Sequence, residues 1–128
     1  MHKGFLRTAA LLGALSVLLG AFAAHGLKQH ISDYAVSIFE TAVKYQFYHA
    51  FALLATGILF REFPNVRMRW AGRFFIMGTL LFCSSLYALT FIKAAVLPRY
   101  DWIGIITPFG GICFIAGWLL LALAISRK

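Results

Sequence analysis

Eight side chains could do chemistry in this sequence: His25, Tyr45, Gln46, His49, Ser84, Ser85, Tyr87 and Thr107, set in or beside apolar stretches. His49 carries most weight. An ionisable group among apolar residues is costly unless it has a partner, so it reads either as a handler of protons or ligands or as a fastener that ties helices together through Tyr45, Ser85 or a backbone carbonyl. Ser85 and His49 supply a nucleophile and a base by type, but no carboxylate on the same face would orient the imidazole. Asp33 and Glu40 do not form a carboxylate pair, and His25, His30 and His49 share neither a helical face nor a ligand spacing. Cys83 and Cys113 make no CxxC and read as packing residues. These patterns speak against an enzyme and supply no residues for a metal or cofactor.

The elements that must carry these residues are four apolar stretches, at about 5–24, 39–60, 71–97 and 103–125. Each offers roughly the 20 residues a helix needs to cross about 30 Å of hydrocarbon. The chain is 62% hydrophobic and 12% charged, with mean hydropathy +0.83; a soluble domain would have about 25% charged residues. No two-residue alternation suggests strands, and helices alone satisfy their backbone inside one segment. With short connectors, sequential helices pack antiparallel. The expectation is therefore an all-α fold: one integral membrane domain over 1–128, a four-helix up-down bundle. Pro64 and Asn65 mark one turn, and the polar stretch from His25-Gly26 to Asp33 forms another connector.

The first stretch ends in Ala21-Phe22-Ala23, which could pass for a signal-peptide cleavage site. Its near-bilayer length and the stripe Ser16, Gly20, Ala24 favour a retained packing helix. Net charge is +8, but the basic residues lie in connectors and tails, where they meet anionic lipid and set topology; no basic surface suited to nucleic acid is apparent. Lys3, Arg7, Arg61, Arg67, Arg69, Arg73, Arg127 and Lys128 place both termini and the second connector in the cytoplasm. Trp70 and Trp102 fit as interface anchors.

With helix two entering near Phe39, His49 lies about 15 Å deep, near mid-membrane. Ser84, Ser85, Tyr87, Thr107 and His25 then fall on the outer side. Thr107-Pro108 followed by Gly110-Gly111 is read as a break that frees backbone carbonyls, which must face the bundle or an aqueous pocket. A polar cavity in the outer half, lined by Gln46, His49, Ser84, Ser85, Tyr87 and Thr107, is the expected site. At about 100° per residue, Tyr45, His49, Ala52 and Thr56 share one side of helix two. Glu40 and Lys44 lie nearly opposite, spaced for an intrahelical ion pair at the interface.

Gly20-Ala21-Phe22-Ala23-Ala24-His25-Gly26, Tyr45-Gln46-Phe47-Tyr48-His49-Ala50, Leu81-Phe82-Cys83-Ser84-Ser85-Leu86-Tyr87, Thr107-Pro108-Phe109-Gly110-Gly111 and Phe114-Ile115-Ala116-Gly117-Trp118 occur in that order along the chain. Together they resemble the YgdD-like small inner-membrane protein family, domain of unknown function family 423, to which transmembrane protein 256 is related. The resemblance implies a four-helix fold, a bacterial inner-membrane location and motif residues His25, Tyr45, Gln46, His49, Ser85, Leu86, Tyr87, Thr107, Pro108, Gly110 and Gly111. It implies no activity or substrate. Where the family tends to have Ser-Gly-Ser, this chain has Cys83-Ser84-Ser85, which puts a very close helix contact at 84 in question; Ala23 stands where glycine is frequent.

Function is expected to be non-enzymatic: an accessory protein that engages the lipid bilayer, a membrane-protein partner or further copies of itself. The alternative is a small oligomeric transporter or channel that uses His49.

Overall fold

The computed structural model describes residues 1–126 and is helical, with no strand among the described residues. Arg127 and Lys128, which entered the orientation argument, lie outside them. Helix α1 spans Lys3–His25, and a 3-10 turn at Leu27–Gln29 leads to α2, Asp33–Leu59. Then α3, Val66–Gly78, runs through a π turn at Thr79–Cys83 into α4, Ser84–Ala94. A 3-10 segment at Pro98–Ile105 precedes α5, Ile106–Ile125. Three helical stretches, Lys3–Gln29, Val66–Ala94 and Pro98–Ile125, are long and apolar enough to cross a membrane. Helix α2 has 27 residues but carries Glu40, Lys44, Gln46 and His49, which lower its apolar content.

Several bounds differ from expectation, each through a local cause. Helix α2 starts six residues early because Ser32 caps it, accepting from the Ala35 amide at 3.2 Å, with Asp33 in the favourable first turn. Asn65 does the same for α3, accepting from Met68 N at 3.0 Å. That draws Arg67, Arg69 and Trp70 into the helix. Helix α4 stops at Ala94, where Val96 takes a left-handed φ of 54°, a conformation that glycine more often supplies at helix ends. Pro108 breaks nothing. It lies in the first turn of α5, directly after the 3-10 segment, a place where the ring's fixed φ is tolerated.

Helix α2 is the central element, packing on α1, α3 and α4, while α5 lies against α3 and the π turn. Eleven residues of α2 are buried against four in α1, so a helix that carries charged and polar residues is the one most covered by protein. The main core joins Phe5, Leu53, Met68, Phe75, Phe114 and Leu121. A smaller one joins Ala23, Leu27, Val36 and Phe39 near the Ala94 end. Close approach relies on glycine: a Cβ on Gly72 would run into the Phe5 ring, and one on Gly117 would lie 2.7 Å from Phe75 Cε1.

The π turn bears on the site. Thr79, Cys83, Tyr87 and Phe91 are spaced by four residues, a step that drifts around a 3.6-residue helix. A wider π turn takes up part of that drift, and all four residues line one cleft.

Candidate functional site

Gln46 lies at the midpoint of α2 and is 2% exposed. Its amide Nε2 donates to Leu12 O of α1 at 3.1 Å, and its Oε1 accepts from the Tyr87 hydroxyl of α4 at 2.7 Å. One side chain thus ties three helices. Leu12 O also accepts from Ser16 Oγ at 2.7 Å, so this carbonyl is well supplied with donors.

His49 lies one turn nearer the Leu59 end. Its Nδ1 is 2.7 Å from Tyr45 O, and its Nε2 is 3.2 Å from Trp118 Nε1. A carbonyl only accepts and an indole N–H only donates, so Nδ1 carries the proton and Nε2 does not. That is the neutral imidazole with both nitrogens engaged. Its ring stacks on Phe114, centroids 3.5 Å apart and 8° from parallel. Helix α2 begins earlier than the sequence suggested, so His49 falls past the centre of its helix. The polar groups therefore run from the Ala94 end to beyond the middle, and do not all sit in one half.

Ser85 Oγ donates to Phe82 O at 2.8 Å and lies 2.6 Å from Thr107 Oγ1, joining α4 to α5. Ser85 and His49 thus bond to different partners and not to each other. Thr56, Thr79 and Thr90 bond to their own helices, at Ala52 O, Phe75 O and Leu86 O.

The structure thus pairs Gln46 with Tyr87 and Ser85 with Thr107, and seats His49 apart from both pairs. Tyr45 contributes its carbonyl, while its ring packs 4.6 Å from Phe82. His25 and Ser84 are exposed and join neither pair. Glu40 and Lys44 are exposed too. The ion pair formed among the described residues is Lys93–Asp101 at 2.9 Å, not Glu40–Lys44. Trp118 and Phe114, the partners of His49, were not among the expected site residues. Their four-residue spacing, which puts both rings on one face of a helix, was the available signal.

Gln46, Ser84 and Tyr87 line one apolar cleft, and Ser84 and Ser85 line another. The first, of about 440 Å³, opens between α1 and the continuous helix formed by α3, the π turn and α4. Leu15, Leu19 and Phe22 form one wall, Leu80, Cys83 and Phe91 the other, and Gln46 and Tyr87 lie at its floor. It exists because α1 packs on α2 without comparable contact to α3 and α4.

A family model whose description reads protein of unknown function, DUF423, matches residues 19–111. The chain belongs to this family. Among its relatives is a UPF0382 membrane protein of Staphylococcus aureus, 40% identical over 122 residues, which cover 95% of this chain and 94% of the relative. Similar proteins from Staphylococcus haemolyticus and Staphylococcus epidermidis are 39% identical over the same shares of each chain. No solved structure matches the chain. Family membership and the three apolar helical stretches make it a multi-pass protein of the cell membrane. The family match spans Gln46, Tyr87, Ser85 and Thr107, and stops before Phe114 and Trp118.

The clasp at Gln46 is open to test. Tyr87→Phe should lower stability by about 1 kcal/mol, the usual worth of an interhelical hydrogen bond in a membrane, read as a lower unfolding midpoint in bicelles. Ser84→Ala, at an exposed hydroxyl, should leave the midpoint unchanged. Equal effects would mean that the Gln46–Tyr87 bond contributes nothing specific.

Proposed function

We propose that the protein is a non-enzymatic lipid-binding membrane protein that holds an acyl chain in the cleft between α1 and the continuous helix of α3 and α4. In this reading all four helices cross the bilayer, with both termini and the α2–α3 connector on the cytoplasmic side, where Lys and Arg concentrate. The central polar residues of α2, Gln46 and His49, can cross because neighbouring helices cover them and satisfy their hydrogen bonds.

The observation that carries the proposal is the cleft itself: about 440 Å³, walled by leucine and aromatic side chains. Beside hydrocarbon such a space fills with acyl chain, since an empty one forfeits dispersion contacts along its walls. Gln46 and Tyr87 at its floor bond to each other, and Gln46 also donates to Leu12 O, so they fix its shape without needing water. The engaged, neutral His49 weighs against proton transport, because neither ring nitrogen is free for a relay.

A phosphatidylcholine with a photoreactive diazirine on its acyl chain tests this in vesicles. Adducts should concentrate on Leu15, Leu19, Leu80 and Phe91, and Leu15→Trp, which fills the cleft, should remove most of them. Labelling spread evenly over the outward-facing Leu11 and Leu18, and unchanged by Leu15→Trp, would overturn the proposal.

A further inference from the structure

A second surface, remote from the cleft, has its own chemistry. The end of the bundle that bears the α2–α3 connector carries Lys3, Arg7, Arg61, Arg67, Arg69 and Arg73, with Glu62 as its acid. Among the described residues none of these cations forms an ion pair, since the pair present is Lys93–Asp101 on α4 and the segment after it.

Two of the arginines are ordered on one face. Arg69, Trp70 and Arg73 are all exposed and lie within one turn of α3, spaced three and four apart. The Arg73 guanidinium carbon sits 4.9 Å from the Trp70 ring centroid, and that of Arg69 sits 5.8 Å from the Phe60 centroid. Aromatic faces hold guanidiniums in this way and leave their N–H edges free to bind an oxyanion in the plane. The same face continues four and eight residues beyond Arg73 as Met77 and Leu81, which are 37% and 38% exposed. Two seated cations above an apolar track complement an amphiphile with a phosphate head.

We infer that this face of α3 binds an anionic glycerophospholipid, its phosphate held by Arg69 and Arg73 and an acyl chain lying along Met77 and Leu81. Other cations at this end attract the same lipids diffusely. The seated pair adds a place where one lipid is retained. Cleft and arginine face share no residue named in either argument, so each stands or falls alone.

The full chain is reconstituted in nanodiscs of phosphatidylcholine with a minor fraction of phosphatidylglycerol, and lipids retained after release are counted by native mass spectrometry. The wild type should keep phosphatidylglycerol in preference to phosphatidylcholine. Arg69→Gln/Arg73→Gln should cut that preference at least tenfold, and either single change should cut it partway. Arg61→Gln/Arg67→Gln removes the same net charge and should largely preserve it. Inorganic phosphate at matched ionic strength should compete no better than chloride, which marks the ligand as lipid and not a free anion. Equal losses in the two double variants, or displacement by inorganic phosphate alone, would overturn the assignment. Unfolding midpoints measured alongside identify any variant that has lost its fold, and the single variants then decide.

Discussion

Gly110→Ala should lower the unfolding midpoint more than any other single added methyl along α5. A Cβ at this position would lie 2.7 Å from Phe82 Cα and Cβ, and closer still to Phe82 N. The obstacle is backbone inside the π turn, not the far end of a flexible side chain, so no rotamer change relieves it. Overpacking of this kind costs about 1–3 kcal/mol, and the upper part of that range is expected here because α5 must move away from the π turn. That movement would also part Ser85 from Thr107, now 2.6 Å apart, three residues after Phe82 and three before Gly110. Gly13→Ala is the control. A Cβ there meets nothing within 4 Å, and alanine is the better helix former by about 1 kcal/mol, so this change should be neutral or stabilising. Melts of both variants in the same detergent check the pair, and a Gly110→Ala midpoint equal to that of Gly13→Ala would refute the close contact.

The glycine was legible in the sequence, but its role was not. Thr107-Pro108 and Gly110-Gly111 stood out as irregular, and composition alone suggested a break. Only the start of α5 at Ile106 shows that proline initiates the helix and that glycine admits a neighbour's backbone. Apolar length marked the helices well, because hydrocarbon sets a minimum span that no other element satisfies. Their ends moved because Ser32 and Asn65 extend α2 and α3 with polar residues that hydropathy assigns to connectors. The π turn has no residue signature and was invisible. Individual polar residues could be picked out as foreign to an apolar stretch, yet their partners depend on how each helix rotates about its axis, which spacing within one helix does not fix. Glu40 and Lys44 illustrate the converse. Their spacing permits a bond, but holding two long exposed side chains in one geometry gains almost nothing, and they remain apart.

His49 and Trp118 should behave as one unit when substituted. His49→Ala removes a stacked ring, an acceptor for Trp118 and a donor to Tyr45 O. A cost of about 3 kcal/mol is expected from lost packing together with an unsatisfied indole N–H. His49→Phe keeps an aromatic ring against Phe114 but still leaves Trp118 without an acceptor, so roughly 1–2 kcal/mol should go. Trp118→Phe alone removes the donor and frees Nε2, at a similar cost. The double variant, with both partners apolar, should lose clearly less than the two single changes added together, because no polar atom is stranded. Strict additivity in a bicelle unfolding assay would mean that the 3.2 Å contact carries no energy. The same variants separate the two functional readings. A His49→Phe/Trp118→Phe protein that folds and still labels with the acyl-chain probe in the cleft assigns the imidazole to fastening α2 to α5. Loss of a His49-dependent, pH-sensitive ion flux in liposomes while the fold persists would instead assign it to transport, and would remove the ground for a purely lipid-binding protein.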